Sequence, residues 1–305
     1  MSCERSQNKT FTIGVIVPNS AYNKIIDGLK SEIEKGDLKG RVSFIIQDFP
    51  KTAEEYDAAC NILLKMKPDL VYVLTTPVAI SAKKCIKDIP ILFNAVGDPV
   101  GAGIVKDPKK PDGNITGFSN FSRELAAKRL EIFKEAFPKI KNVLTFYNPT
   151  NQFSVLAIKD LEKAAYLLKL NIIQITGKDS DEIRREMKKI KMKSIDGIYL
   201  MPDAVALSMF SEVLEISKQH QLPVMAHESG LVERGATISY GADFFELGRL
   251  SYVYVRAILN GESAGKLPVF FPDKFLLTVN KKMANQLNLK IPEETLFFAD
   301  RIIND

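Results

Sequence analysis

The residues of this sequence that could do chemistry follow short apolar runs, and their types differ between the two halves of the chain. In the first half they are mainly hydroxyls and amides: Asn19, Ser20, Thr75, Thr76, Asn94 and Asp98. In the second half they are Asn148, Phe153, Ser154, Asp203, Glu228 and Tyr240. Two of these, Asp203 and Glu228, are acids. This division suits a zwitterionic ligand, with its carboxylate held by the first set and its ammonium group by the second.

A carboxylate site is predicted at the helix that opens at Pro77. Backbone amides of the first helical turn, with the hydroxyls of Thr75 and Thr76, can donate hydrogen bonds to an anion in the field of the helix dipole. The simpler interpretation is that Thr76 only caps this helix, with Pro77 at the first helical position. Capping needs nothing more than the local sequence, so both interpretations stay open.

An ammonium site is predicted at Asp203 and Glu228, because each carboxylate can accept charge-assisted hydrogen bonds. The alternative for Asp203 is an N-cap at the start of a long helix that reaches His220. Glu228 lies in the segment AHESG (226–230), directly after a short predicted strand. A cap is less needed there, which favours a ligand contact.

Three aromatic residues, Tyr22, Phe153 and Tyr240, could stack on a flat ligand. Tyr22 and Phe153 also recur at helical spacing with other apolar residues, a pattern that favours a place in the core. Because the sequence contains no Trp, only Tyr or Phe could provide such stacking.

The motifs of common enzyme classes are missing from the sequence. There is no GxSxG elbow, Walker loop, HExxH helix or strand-following GxGxxG. The pair His227-Glu228 could suggest a general base, but no nucleophile or ligand set accompanies it. With two His and no CxxC, a zinc site is not expected. We therefore predict no catalytic residue, no metal and no cofactor.

Strand and helix patterns alternate along the chain, which predicts an α/β architecture with mostly parallel sheets. In open α/β sheets, ligands bind beyond the carboxyl ends of strands, where both sets of residues lie. The predicted strands span 11–17, 42–47, 70–74, 91–93, 115–118, 143–147, 172–175, 197–200, 224–226, 237–239 and 275–279. After a short helix near 282–287, the pattern predicts an irregular tail.

Two lobes are predicted, because the segments IVPNSAY (16–22) and FYNPTNQ (146–152) both read as a strand, a polar turn and a helix. They stand about 130 residues apart, an interval that fits a domain. We assign residues 11–118 and about 242–274 to lobe 1, and 119–241 and about 275–305 to lobe 2. Residues 1–10 form a leader.

The segment from Ile91 to Phe118 joins two apolar strands through a loop with four Gly, three Pro and three Asp. A loop of this length is usually functional, although a solvated connection with two turns would read the same way. Its phrases NAVGDPVGAG (94–103) and PDGNITG (111–117) resemble ABC transporter substrate-binding proteins of the tryptophan- and tyrosine-associated type. The resemblance continues in YNP (147–149), LPV (222–224), GLVERGA (230–236), SYG (239–241) and ELG (246–248), and covers roughly 11–303.

This resemblance implies a type I periplasmic-binding-protein fold, in which two lobes enclose a ligand cleft. It also implies a monomeric solute-binding protein that captures a small ligand, an amino acid and possibly an aromatic one, by hinge closure and delivers it to an ABC permease. The alternatives are the ligand-sensing domain of a receptor or regulator with the same fold and, third, an enzyme. A regulator would need a helix-turn-helix before the first lobe, and about ten residues precede Phe11, too few for one.

Composition agrees with a globular protein and not with a nucleic-acid binder. The 305 residues are 46% hydrophobic and 26% charged, which suffices for a normal core. The net charge of +5 comes from scattered Lys without the interleaved aromatic residues of a nucleic-acid groove. No apolar run reaches the roughly 18 residues of a membrane span.

The three cysteines have different sequence environments. Cys60 lies on the apolar face of a predicted helix and Cys85 ends another, so both are expected to be inert thiols in or near the core. Cys3 lies in the polar leader and resembles the lipidated cysteine of an exported lipoprotein. The alternative is a chance cysteine in a frayed terminus. The expected location is extracytoplasmic, with a lipid anchor.

We therefore expect Cys3→Ser to abolish membrane attachment of the native, fully processed protein and to leave solute binding unchanged. Several acyl chains on one cysteine hold a protein firmly at a membrane, whereas a single chain holds weakly. Fractionation and intact-mass measurement check this. A variant that still fractionates with membranes and carries no lipid mass would contradict the anchor.

Overall fold

The computed structural model describes residues 9–48, 50 and 52–304. Cys3 and most of the leader lie outside these residues. The strands are β1 (Phe11–Val17), β2 (Val42–Asp48), β3 (Leu70–Leu74), β4 (Ile91–Val96), β5 (Ile115–Ser119), β6 (Asn142–Tyr147), β7 (Asn171–Thr176), β8 (Gly197–Tyr199), β9 (Val224–Ala226), β10 (Ile238–Gly241), β11 (Leu276–Asn280) and β12 (Arg301–Ile303).

Twelve α-helices occur within the described residues. They are α1 (Asn23–Ile33), α2 (Ala53–Met66), α3 (Thr76–Cys85), α4 (Ala126–Ala136), α5 (Gln152–Leu168), α6 (Ser180–Met187), α7 (Ala204–Ser208), α8 (Phe210–His220), α9 (Ser229–Glu233), α10 (Phe244–Leu259), α11 (Lys281–Gln286) and α12 (Glu293–Phe297). The chain divides into two compact units: residues 1–121 with 244–273, and residues 122–243 with 274–305. We call them unit 1 and unit 2.

Unit 1 is built on a five-stranded parallel sheet with the order β2-β1-β3-β4-β5. Every residue of β3 and β4 is buried, so these strands are covered on both faces, as an apolar run without alternation indicates. Helices α1 and α10 approach each other closely, because a Cβ on Gly28 would lie 2.1 Å from the Phe245 carbonyl oxygen and one on Gly248 would lie 2.0 Å from that of Ile25. Glycine at both positions is what permits this contact.

Unit 2 is built on a seven-stranded sheet with the order β12-β11-β10-β9-β8-β6-β7. All pairs are parallel except β10 with β11, which run antiparallel. Its core is continuous from α4 through the central strands to α8 and includes Leu130, Phe133, Phe146, Ile198 and Phe210. The prediction of an α/β fold with mostly parallel sheets is confirmed.

The structure corrects four details of the predicted elements. The long helix expected from Asp203 to His220 is two helices, α7 and α8, joined at Met209. Helix α9 was not predicted. The tail expected to be irregular contains α12 and β12, which adds an edge strand to the sheet of unit 2. Finally, Thr75 and not Thr76 is the N-cap of α3.

Candidate functional site

In unit 1, the residues predicted to bind a carboxylate meet where β3 and β4 end. The Thr75 amide donates to the Asn94 carbonyl oxygen at 2.9 Å, and the Gly97 amide donates to Thr76 Oγ1 at 3.3 Å. The first turn of α3 therefore lies beside the loop that leaves β4. This brings together three of the predicted residues through the pairing of neighbouring parallel strands.

The backbone at this junction is strained. Thr75 has φ +80° and ψ 158°, a region that is essentially restricted to glycine and that costs a β-branched residue about 1–3 kcal/mol. Ala95 has φ +54°, and the register between β4 and β5 shifts between Phe93 and Val96. Strained residues of this kind concentrate at ligand sites because the surrounding structure must hold them in place.

Asn94 supports this junction from within. Its side chain is fully buried, and its amide donates to Tyr72 Oη at 2.8 Å and to the Leu247 carbonyl oxygen at 3.2 Å. Its Oδ1 accepts from the Ala95 amide at 2.7 Å. The Asn94 side chain thus makes its hydrogen bonds to groups inside unit 1, and its role here is to fix the end of β4.

The other predicted residues of unit 1 have local structural roles as well. Asn19 caps a short 3₁₀ helix by accepting from the Ala21 amide at 2.9 Å, and Ser20 in that helix is exposed. Asp98 accepts from the Gly101 amide at 2.7 Å and shapes the turn after β4. Tyr22 is buried and stacks on Phe244 with ring centroids 5.4 Å apart, which agrees with the core interpretation.

In unit 2, Asp203 is the centre of a buried polar cluster. Its side chain is 2% exposed, and it caps α7 by accepting from the amides of Val205 at 2.9 Å and Ala206 at 3.2 Å. The fully buried Ser154 donates its hydroxyl to Asp203 Oδ2 at 2.5 Å, and Asn151 Nδ2 lies 3.4 Å from the same oxygen. Among the described residues, no cation forms a salt bridge with Asp203.

Asn151 was missed by the sequence analysis, although a signal was present. It is the N-cap of α5 and accepts from the Phe153 amide at 3.1 Å, which the run NPTN (148–151) before a helix favours. Asn148 in the same run accepts from the amide and hydroxyl of Thr150 at 2.9 and 2.8 Å. Phe153 is half-buried and lies outside the apolar core of unit 2.

Glu228 follows β9, the neighbour of the strand that precedes Asp203. It is 2% exposed and accepts from the Gly230 amide at 2.6 Å, so it is the N-cap of α9. A cap was not expected at this position, because the sequence pattern does not predict α9. Asp203 and Glu228 are therefore buried caps that follow adjacent strands, which brings their carboxylates to one edge of the sheet.

A buried cation, Arg129 on α4, was not found by sequence reasoning. It is 1% exposed and donates to the carbonyl oxygens of Tyr240 at 2.7 Å and Ser122 at 2.8 Å, and to Ser122 Oγ at 3.0 Å. No salt bridge to Arg129 occurs in the part of the chain that the structure describes. An arginine at helical spacing normally indicates a solvated face, so the sequence carried no signal for this role. Tyr240 itself is half-buried and packs on Phe275, with the ring centroids 6.0 Å apart.

His227 is the second buried titratable group near this arginine. Burial, with a smaller contribution from the positive charge of Arg129, lowers the pKa of His227 to about 3. The side chain is 4% exposed, and within the described residues its Nδ1 has no hydrogen-bond partner. A neutral imidazole in an apolar setting fits a structural residue and not a general base that works near neutral pH.

Comparison with known proteins assigns the class. A model of the family described as ABC transporter substrate binding protein matches residues 11–303. The chain therefore belongs to the family of ABC transporter substrate-binding proteins, whose members work outside the cytoplasm. Across the described residues, no helix is both long and apolar enough to cross a membrane.

Individual relatives agree with this class. A curated "Tyrosine-binding protein" of Clostridioides difficile is 28% identical over 290 residues, which is 94% of this chain and 83% of the relative. A Streptococcus pneumoniae ABC domain solved in complex with L-Trp is 25% identical with a TM-score of 0.87, covering 97% of this chain and all of that one. A conserved domain protein from Vibrio cholerae is 28% identical with a TM-score of 0.88, covering 96% of this chain and all of that one. The type I periplasmic-binding-protein fold is thereby confirmed.

The strain at Thr75 generates a prediction in which stability and affinity change in opposite directions. Thr75→Gly should raise the free energy of unfolding by about 1 kcal/mol, because glycine accepts the observed backbone conformation. Affinity for the solute should fall about 10-fold if the hydroxyl binds its carboxylate. Thr75→Ala is the matched control, since it loses the hydroxyl and keeps the strain. Chemical denaturation measures the free energy of unfolding, and titration calorimetry measures the affinity. A glycine variant less stable than the parent would contradict the strain at Thr75.

The buried His227 generates a prediction for acid stability. In the unfolded chain the His227 imidazole binds a proton below about pH 6.5, whereas in the folded chain it does so only near pH 3. The free energy of unfolding therefore decreases as the pH falls through this interval. We expect His227→Gln to reduce the loss between pH 7.5 and 4.5 by roughly 2–3 kcal/mol. Urea unfolding at the two pH values measures this. His220→Gln is the control and should keep the acid sensitivity of the parent; an equal effect of both variants would contradict the assignment.

Proposed function

We propose that this protein is an exported solute-binding protein that captures an amino acid, preferably an aromatic one, and delivers it to a membrane ABC permease. The observation that carries the proposal is the pair of buried carboxylates, Asp203 and Glu228, at the ends of adjacent strands of unit 2. Among the described residues, Asp203 in particular has hydrogen-bond donors and no cation as partners, so an ammonium group would complete its surroundings.

Unit 1 supplies the complementary chemistry. The first turn of the ten-residue helix α3, with Thr75 and Thr76 at its start, favours a negative group. An amino acid carries an ammonium and a carboxylate group on the same carbon, so it needs an anion site and a cation site of this kind. The relatives named for tyrosine binding and solved with L-Trp support the aromatic class.

Stacking on the side chain of the solute is proposed for Phe153 and Tyr240. Both are half-buried, whereas Tyr22 is committed to its stack on Phe244. Since the chain contains no Trp, stacking on the solute requires Phe or Tyr rings such as these. We further propose that the protein acts as a monomer anchored through Cys3, breaks no bond in the solute and closes its two lobes upon it.

The test of this function is calorimetric titration of protein that has been unfolded, freed of bound solute and refolded. L-Trp, L-Tyr and L-Phe are compared with tryptamine, which lacks the carboxylate, and 3-indolepropionate, which lacks the ammonium group. We expect at least one amino acid to bind with micromolar affinity or better, both analogues to bind at least about 30-fold more weakly, and X-ray scattering to show compaction on binding. No binding of any of the three amino acids would contradict the proposal.

The two acids generate a prediction with a matched control on the same unit. Asp203→Asn and Glu228→Gln keep the shape of the side chain and remove its charge, so affinity should fall at least about 30-fold in one or both, because a buried charge pair is worth on the order of 2–5 kcal/mol. Asp179→Asn changes an N-cap of α6 that accepts from two amides at 2.9 Å in the same manner. It should leave affinity unchanged.

Thermal melts separate recognition from capping. Losing a cap lowers stability by roughly 1 kcal/mol, and this can occur in all three variants. If Asp203→Asn and Glu228→Gln melt lower and still bind the solute as tightly as the parent, both carboxylates are structural and the amine-recognition half of the proposal is wrong.

A further inference from the structure

Two cysteines lie on a pair of packed helices, α2 and α3, in unit 1. Cys60 on α2 is fully buried, and Cys85 is the last residue of α3 and half-buried. The Cys85 side chain packs against the apolar cluster that contains Cys60. Both are free thiols in this structure.

A small polar cluster one turn from Cys60 binds the Cys85 thiol. Asp57, one turn before Cys60 on α2, accepts from the Ser81 hydroxyl on α3, and the Cys85 thiol donates to its Oδ1 at 3.5 Å. Lys84 Nζ lies 3.4 Å from the other oxygen of Asp57. Three side chains of α3 therefore converge on one acid of α2, and this links α2 to the C-terminal half of α3.

From this geometry we propose that Cys60 and Cys85 form an intramolecular disulfide in the mature protein, with a disulfide-bearing thiol compound as the oxidant. The inference rests on the proposed function, because an exported protein enters a compartment where disulfides form and persist. The pairing also accounts for the cysteine count of three, since it leaves only Cys3, the predicted lipid acceptor.

The chemistry balances as two thiol–disulfide exchanges. The Cys85 thiolate, the more exposed of the two, attacks one sulfur of the oxidant, forms a mixed disulfide and releases the first reduced thiol. The Cys60 sulfur then attacks Cys85 Sγ, forms the intramolecular bond and releases the second. The two protein thiol protons pass to the two released thiolates, and the oxidant gains the two electrons that the protein loses.

The surroundings set the rate of this reaction. Burial raises the pKa of Cys60 to about 12, and burial together with the charge of Asp57 raises the pKa of Cys85. Because the thiolate is the nucleophile, oxidation should be slow at neutral pH and faster as the pH rises. The bond would join α2 to the end of α3 opposite Thr76, so it would fix the helix whose first turn belongs to the candidate carboxylate site.

The test uses the full chain with Cys3→Ser, so that two thiols remain. The protein is reduced, desalted and incubated with oxidised glutathione at pH 8.5, and thiols are then counted by titration in denaturant. We expect the count to fall from two to zero, the intact mass to fall by about 2 Da and digestion to yield one peptide pair joined through Cys60 and Cys85. The melting temperature should rise by roughly 5 °C, because the bond restricts the unfolded chain.

Two single variants provide the controls. Cys85→Ser and Cys60→Ala should show no loss of 2 Da and no oxidant-dependent rise in melting temperature. Two thiols that remain titratable after incubation, or that only take up glutathione on separate sulfurs, would overturn the inference. Cys85→Ser alters a half-exposed position, so it remains informative if the buried Cys60→Ala fails to fold.

The outcome is separable from that of the proposed function, because no solute is present in this experiment. A protein that binds L-Trp or L-Tyr and keeps both thiols would overturn the disulfide alone. A protein that forms the bond and binds none of the amino acids would overturn the solute-binding proposal and leave the disulfide standing.

Discussion

The structure depends on how backbone amides are satisfied where buried parallel strands pass into helices. Parallel sheets covered on both faces bury their strand ends, and the first amides of each following helix need partners there. Polar side chains provide those partners, which is why the candidate ligand residues Asn19, Asp203 and Glu228 are all caps. Capping and recognition thus compete for the same oxygens, and a carboxylate can serve both because its two oxygens accept several hydrogen bonds.

The junction of β3 with α3 differs from these, because no side-chain cap binds the first amides of α3. Its cap position holds Thr75, whose side chain makes no capping hydrogen bond and whose backbone is strained. The structure tolerates this because the Thr75 amide is bound to the Asn94 carbonyl oxygen and the Thr76 hydroxyl to the Gly97 amide. The proposed carboxylate site lies at this same first turn, where α3 has no side-chain cap and the Thr75 backbone is strained.

Buried charge is distributed unequally in unit 2. Asp203 is surrounded by hydrogen-bond donors, and Arg129 by carbonyl and hydroxyl oxygens of Tyr240 and Ser122. Among the described residues, neither has an ionic partner. Since isolated charges are costly to bury, each is held by aligned dipoles. Burial, and to a smaller extent the charge of Arg129, lowers the pKa of His227, so that its imidazole is kept neutral. A catalytic interpretation of the His227-Glu228 pair is therefore not supported by its surroundings.

The sequence by itself determined the α/β class, nearly all strand positions and the strand ends at which polar residues gather, because these follow from local periodicity and turn chemistry. The loop phrases of 94–103 and 111–117 also identified the family. Only the tertiary structure decided which polar residues serve the fold. Asn94 donates hydrogen bonds to Tyr72 and to the Leu247 carbonyl oxygen, Arg129 is buried, and Glu228 caps α9. These facts depend on contacts between residues far apart in the chain, which local patterns do not encode.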